Sequence, residues 1–230
     1  MRETLCAGLA PLHLNLTGAQ IDTLCRFGDA LLEQNKVMNL TAITDPSAVA
    51  QLHFLDCIAL TGAANLQNKR LIDVGCGAGF PGVPLKIAEP SLSLTLLDSL
   101  GKRTAWLSSL LPQLGIEAEV VTARAEEAVA NRREQYDIAT ARAVARLPVL
   151  CELCLPFVKA GGLFLAMKGA SAAEEATESA NALRSLGGKI RDIYEYPIAD
   201  AVHRVVVIEK VASTPAKYPR AYAKIKKAPL

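Results

Sequence analysis

The stretch Asp73–Gly82, D-V-G-C-G-A-G-F-P-G, decides the fold class of this chain. It follows a short apolar run, Leu71 to Val74, that reads as a strand, and it leads into Pro81 to Ala88, which reads as a helix. A strand, a glycine-rich turn and a helix in direct succession open a βαβ unit. Gly75, Gly77 and Gly79 permit a tight turn and let a ligand approach the backbone closely.

Downstream of that loop the same alternation continues. Leu92 to Leu97 reads as a strand, Lys102 to Leu114 as a helix, Glu119 to Val121 as a strand and Ala125 to Ala130 as a short helix. Asp137 to Thr140 reads as a strand and Pro148 to Val158 as a helix. Gly161 and Gly162 then turn the chain into a strand over Leu163 to Met167, and Ser171 to Leu186 reads as one long helix. Two strands close the series, Ile190 to Tyr196 and Arg204 to Lys210. The expected fold is α/β: a doubly wound, mostly parallel seven-stranded sheet whose final strand runs antiparallel in a hairpin. Upstream of about residue 65 the chain reads as helical. Thr17 and Gln20 fit a capping box, and Asp45 followed by Pro46 fits a helix start. Gly28 interrupts the apolar stripe of the first long helix, and Asn35 to Thr41 reads as a polar connector. The expected organisation is one unit over 1–230: a helical extension (1–65), a Rossmann-like core (66–212) and a basic tail (213–230).

The acids around the glycine loop narrow the ligand. Counted from Gly75 the pattern G-x-G-x-x-G fails at Phe80; counted from Gly77 it is met by Gly77, Gly79 and Gly82, so spacing alone leaves a dinucleotide open. No G-K-S or G-K-T follows, which argues against a P-loop. Asp73, two residues before the first glycine, would repel a pyrophosphate but favours the ammonium or sulfonium of S-adenosyl-L-methionine; it also fits a strand-end carboxylate held by backbone amides. Asp98 closes the second strand, where an acid accepts hydrogen bonds from ribose hydroxyls or caps the next helix. Ala125 and Glu126 follow the third strand, within reach of an adenine edge.

Composition sets the limits. The chain has 230 residues, 51% of them hydrophobic, enough for one full core. It shows no run of 18 apolar residues and no secretory pattern, so a cytoplasmic protein without a membrane span is expected. The six cysteines read as reduced thiols; Cys151 and Cys154 share a helix face, and with His13, His53 and His203 scattered, no metal site is expected. The chain carries 25 Lys and Arg against 23 Asp and Glu, but Lys217, Arg220, Lys224, Lys226 and Lys227 all fall after Ala216 with no acid among them. With Tyr218 and Tyr222 interleaved, that tail suits a polyanion; a merely solvated tail is the other reading.

With these residues in view, D-V-G-C-G-A-G-F-P-G followed by L-L-D-S-L-G-K-R (Leu96 to Arg103) resembles the small-subunit ribosomal RNA guanine-N7 methyltransferases, formerly called glucose-inhibited division protein B. N-K-V-M-N-L-T-A-I (Asn35 to Ile43), H-F-L-D (His53 to Asp56), A-R-A-V (Ala141 to Val144), M-K-G (Met167 to Gly169), H-R-V-V-V-I (His203 to Ile208) and the tail Y-P-R followed by K-K-A-P-L extend the resemblance over nearly the whole chain. It implies a class I methyltransferase sheet, S-adenosyl-L-methionine bound at Gly75, Phe80, Asp98, Ala125, Glu126 and Arg142, and N-terminal helices belonging to the same unit. It further implies a guanine or RNA pocket with Asn39, Lys168, His203 and Arg204 on its polar side, and a monomer acting on small-subunit ribosomal RNA or the assembled subunit. Lys217, Arg220 and Lys226 are the tail residues expected to meet phosphates.

Guanine N7 has an in-plane lone pair and needs no deprotonation before it attacks a methyl sulfonium, so positioning and electrostatics should carry the rate. Arg142 and Lys168 both follow expected strands at the ligand end, where a cation could hold guanine O6; each also fits an ordinary strand-end salt bridge. An exocyclic adenine amine fits less well, because the chain has no Pro-Pro, and cytosine carbon-5 needs a thiolate nucleophile that helical Cys151 and Cys154 are poorly placed to supply. Two readings from other classes stay open at this point: an NAD-linked oxidoreductase, and a non-catalytic RNA-binding protein with a relic cofactor fold.

Overall fold

The chain begins with helices, as its apolar periodicity dictates. In a computed structural model, which describes residues 1–230, α1 (Arg2–Leu9) and α2 (Gly18–Met38) come first. The capping box forms at the start of α2: Gln20 N–H donates to the Thr17 hydroxyl (3.2 Å) and Thr17 N–H donates to Gln20 Oε1 (2.8 Å). A cramped crossing explains Gly28, since a Cβ there would lie 2.4 Å from Met1 and 3.2 Å from the Phe54 ring. α2 continues through Asn35 to Met38, so the connector is shorter than its polarity suggests. Asn35 remains its organiser, because Leu40 and Thr41 N–H both donate to its Oδ1. Asp45 caps α3 (Pro46–Val49), which passes through a wide π turn (Ala50–Leu55) into α4 (Asp56–Ile58).

Then the alternation sets in: β1 (Arg70–Val74), α5 (Gly82–Ala88), β2 (Ser93–Asp98), α6 (Gly101–Gln113), β3 (Glu119–Thr122), α7 (Ala125–Ala128), β4 (Tyr136–Arg142), α8 (Leu147–Cys154), β5 (Val158–Lys168), α9 (Ala172–Glu178), α10 (Ala180–Leu186), β6 (Gly188–Ile198), β7 (Ala201–Lys210) and α11 (Tyr222–Lys227). The strands form one sheet in the order β3-β2-β1-β4-β5-β7-β6. Pairings through β5 are parallel, and β7 runs antiparallel to both its neighbours. The doubly wound, mostly parallel seven-stranded sheet is therefore present, with helices on both faces.

Two local expectations change. Gly161 and Gly162 lie inside β5 rather than ahead of it, in the irregular stretch where pairing with β4 jumps from Tyr136–Val158 to Ile138–Leu163, and Gly161 takes φ +80° there. The long helix expected over 171–186 breaks at buried Ser179, whose hydroxyl donates to the Glu175 carbonyl (2.7 Å) and ends α9.

Side chains alternate across the strands and fill two apolar layers. Leu71, Leu94, Leu96, Ile138, Leu165, Val205 and Val207 face one layer, shared with Leu5, Leu24, Phe27 and Phe54 of the N-terminal helices. Ile72, Val74, Leu97, Phe164, Ala166, Val206 and Ile208 face the other, shared with α8, α10 and Ile225 of α11. Cys151 and Cys154 are wholly buried in that second layer, and burial pushes both thiols up, as packing residues rather than nucleophiles. No helix is long and apolar enough to cross a membrane.

The basic tail is not a free appendage. Lys210, with a fully buried ammonium, donates to the Leu155 and Val158 carbonyls and to the Thr214 hydroxyl. Arg220 clasps Glu152, which is completely buried in α8: backbone N–H and Nε both reach Oε1 at 2.8 Å, and Nη2 reaches Oε2 at 2.6 Å. Removing one member of a buried pair strands the other charge. Arg220→Ala is expected to destabilise the chain by about 3–5 kcal/mol in urea denaturation, while the paired change Glu152→Leu with Arg220→Met recovers most of it. An Arg220→Ala midpoint equal to wild type would contradict the assignment.

Candidate active site

The strand order reverses between β1 and β4, so the loops that follow these two strands diverge and leave a crevice at the carboxyl edge of the sheet. The glycine loop forms one wall and the loop 143–146 the other. The crevice holds two adjoining clefts. One, of about 360 Å³, is lined by Leu40, His53, Phe80, Leu100, Arg103 and Arg142, among others. The second, of about 170 Å³, includes Leu97, Ala123, Ala125, Glu126, Leu153 and Tyr222. Gly75, Asp98, Ser99 and Val144 border both. A larger cleft of about 580 Å³ lies between Ser108 and Val120, before β3; that is the amino end of the strand, the wrong end of a parallel sheet for a ligand.

The glycine loop is shaped by its hydrogen bonds. Gly75 and Cys76 N–H donate to the Leu97 carbonyl (2.8 and 3.1 Å), pinning the end of β1 to β2. Gly75 adopts φ +75°, and a Cβ there would sit 2.7 Å from Val144, so only glycine fits both the backbone and the space. Asp98 lies between the loop and α6. Gly77 N–H donates to its Oδ2 (2.9 Å) and Leu100 N–H to its Oδ1 (2.8 Å), with Arg103 Nη1 at 3.8 Å. Each oxygen retains acceptor capacity on the border of the two clefts.

This donor and acceptor set fits S-adenosyl-L-methionine: a carboxylate with free lone pairs for ribose hydroxyls, a backbone cradle without side chains, and an apolar subcleft beyond. Asp73 plays a different part from the one its charge suggested. It is fully buried, Gly82 N–H donates to its Oδ2 (2.8 Å), and its Oδ1 has no partner. Burial, opposed by the Gly82 bond, raises its carboxyl to about 7. Asp73 lines neither cleft; it ties the start of α5 to the end of β1 from behind the loop.

The two cations expected to meet a base lie on opposite faces of the sheet. Arg142 pairs in register with Met167, so Lys168 projects to the other side. Arg142 turns toward the N-terminal helices. Its guanidinium lies 4.7 Å from the Phe80 ring centroid, its Nη1 donates to the Leu52 carbonyl (3.3 Å) and stands 3.6 Å from Asp56 Oδ2, and it lines the larger cleft. Lys168 turns toward α9 and lines neither cleft. Its ammonium donates to the Ala145 carbonyl (2.7 Å) and pairs with Glu175 (2.8 Å). Glu175 also accepts from Leu147 N–H and the Ser171 hydroxyl. Burial opposes its charge, but these hydrogen bonds outweigh it and hold its carboxyl below the usual range. Lys168 thus fixes the loop that carries Val144.

His203 and Arg204 are adjacent on β7 and diverge for the same reason. His203 Nδ1 lies 2.7 Å from Asp56 Oδ1, and that hydrogen bond raises its pKa, while Arg204 pairs with Glu195 (2.6 Å) on the far face. Asn39 is exposed at the left-handed C-terminus of α2, beside cleft-lining Leu40. Of the tail residues, Lys217 lies over the Tyr218 ring and Lys226 is exposed, whereas Arg220 is committed to Glu152.

Several residues of the crevice carried no site role in the sequence reading. Asp56 gathers Arg142, His203 and the Tyr196 hydroxyl (2.9 Å) around one buried carboxylate. His53 packs against Phe80 at 4.6 Å, and burial with Arg142 nearby lowers it to about 4, so it is neutral near pH 7. H-F-L-D spaces these two residues three apart, which puts them on one helical face; that spacing was the available signal. Tyr222 of the tail reaches the smaller cleft with no local signal.

Comparison with known proteins agrees with this architecture. Residues 20–197 match the model of the GidB family, described as rRNA small subunit methyltransferase G. The chain is 48% identical over 235 residues to the ribosomal RNA small subunit methyltransferase G of Acetivibrio thermocellus, covering 100% of this chain and 97% of the relative. It is 43% identical to that of Alkaliphilus oremlandii, covering 100% and 99%. Among solved structures, TYW2 from M. jannaschii in complex with AdoMet aligns with a TM-score of 0.54 at 15% identity (68% of this chain, 75% of that one). TrmN from Thermus thermophilus aligns with 0.54 at 17% (68% and 48%). The distant structures share the sheet, the near relatives share the chain end to end, and the protein belongs to the GidB family of small-subunit ribosomal RNA methyltransferases.

Proposed function

We propose that this protein transfers a methyl group from S-adenosyl-L-methionine to N7 of a guanine in small-subunit ribosomal RNA. The observation that carries this reading is Asp98: a buried carboxylate gripped by the Gly77 and Leu100 amides yet open to both clefts. In this reading Asp98 holds the ribose, Gly75, Gly77, Gly79 and Phe80 form the cradle, and Ala125 and Glu126 edge the adenine end. When bound, S-adenosyl-L-methionine supplies an electrophilic methyl on its sulfonium. The enzyme acts in the cytoplasm as a monomer, on ribosomal RNA or on the assembled subunit, with exposed Asn39, Lys217 and Lys226 toward the polyanion.

The rest of the larger cleft suits an acceptor that needs no base. His53 is a weak base, lowered to about 4, with its Nδ1 and Nε2 engaged by the Leu52 carbonyl (3.1 Å) and the Thr41 hydroxyl (2.8 Å), and the neighbouring Arg142 guanidinium cannot accept a proton. N7 attack requires no proton removal, so the chain's task is to align the ring and stabilise charge. Arg142, braced by Asp56 and the Leu52 carbonyl, has N–H groups left over for guanine O6. Lys168 acts at one remove, as a positioning residue that holds the 143–146 loop through Ala145 and Glu175. The glycine spacing and Asp98 would serve the ribose of NAD as well, and it is membership of the GidB family that favours methyl transfer over an NAD-linked or non-catalytic role.

Asp98→Ala is expected to weaken S-adenosyl-L-methionine by about ten- to a hundredfold with the fold intact, the scale of losing charge-assisted hydrogen bonds. Calorimetric titration checks it, and unchanged affinity would remove Asp98 from the site. Incubating small subunits with methyl-labelled cofactor should place label in the RNA with wild type and little with Asp98→Ala. For Lys168, single-turnover rates of Lys168→Ala, Glu175→Ala and the double variant should fall alike, by about tenfold, and without additivity, because both residues act through one loop. A wild-type rate in Glu175→Ala beside a slow Lys168→Ala would instead return Lys168 to direct contact with the base.

A further inference from the structure

The C-terminal segment reaches into the crevice. Tyr222, the first residue of α11, lines the smaller cleft with Ala125, Glu126 and Leu153, and the Arg124 guanidinium lies 5.9 Å from its ring centroid. Three separate attachments hold the segment there. Arg133 Nη2 donates to the Tyr218 carbonyl (2.5 Å), Arg220 clasps buried Glu152, and Ile225 is fully buried in the second apolar layer, where α11 meets α8. Lys224, Lys226 and Lys227 of the same short helix are exposed. A solvated tail would show none of these attachments, and a tail devoted to phosphates alone would have no reason to bury Ile225 or to commit Arg220.

We infer that Tyr222 is a wall of the subsite for the adenine end of the cofactor, kept in place by the Arg220–Glu152 pair. This rests on the S-adenosyl-L-methionine reading above and adds to it a residue distant in sequence from the glycine loop. The remaining walls are chiefly backbone and aliphatic groups, Val74, Leu97, Ala123 and Leu153, with Asp98 and Ser99 toward the ribose side. Tyr222 is the aromatic ring among them, and a purine beside an aromatic side chain gains stacking energy without needing a specific hydrogen bond. The tail therefore contributes to cofactor binding as well as to any contact with RNA.

Calorimetric titration of the full chain with S-adenosyl-L-methionine, and separately with adenosine, tests the inference. Tyr222→Ala should weaken both ligands to a similar degree, by about tenfold, in a chain that still melts cooperatively, at a midpoint lowered only modestly by the loss of the ring's packing against the second apolar layer. Tyr222→Phe should stay within about twofold of wild type, because the ring is what acts. Wild-type affinity in Tyr222→Ala, with Asp98→Ala measured alongside and weakened, would overturn the proposal, and so would a loss in Tyr222→Phe equal to that in Tyr222→Ala. Failure of the wild-type chain itself to bind S-adenosyl-L-methionine would strike the cofactor reading instead.

Discussion

The hydrogen bonds from the Gly77 and Leu100 amides to the Asp98 carboxylate are the constraint on which the crevice depends. They join three things that the chain supplies separately: the glycine loop after β1, the end of β2 and the entry to α6. Parallel pairing of β1 with β2 brings Asp98 alongside the loop, and Asp73 closes the loop from behind through Gly82. A carboxylate satisfied by backbone on one side and open on the other is pre-organised, so little reorganisation accompanies ligand binding.

Around that anchor the sheet separates its cations by face. Arg142 stands on the side of the N-terminal helices, where Asp56 brings it together with His203 and Tyr196. Lys168 stands on the other side and holds the 143–146 loop. The helical extension is thereby part of the crevice, since Leu40 and His53 line it and Asp56 braces it. Helix α2 earns no catalytic side chain of its own; its role is to end in the left-handed turn at Asn39 that delivers Leu40 to the rim.

Much of this was legible in the sequence, for physical reasons that differ by region. The glycine loop, Asp98, Ala125 and Glu126 were readable because each closes or follows a strand, and in a parallel sheet those positions share one edge whatever the packing. The capping box and the helix start at Pro46 were readable because they are local. The fates of Arg142 and Lys168 were not. Which face each takes depends on the register of β4 against β5, and a bulge near Ile138 sets that register with no local signature. Arg220 read as a cation for phosphates because its partner, Glu152, lies 68 residues away. The hint was Glu152 itself, an acid inside the apolar run L-C-E-L-C, where burial demands a partner.

The central claim, methyl transfer to guanine N7, is tested most directly on the RNA rather than on the protein. Small-subunit ribosomal RNA from cells lacking this protein should be mapped by mass before and after incubation of their subunits with the purified chain and S-adenosyl-L-methionine. One guanine should lack its N7 methyl beforehand and carry it afterward. Fully methylated RNA in the deficient cells, or a methyl restored at another atom or base, would contradict the claim.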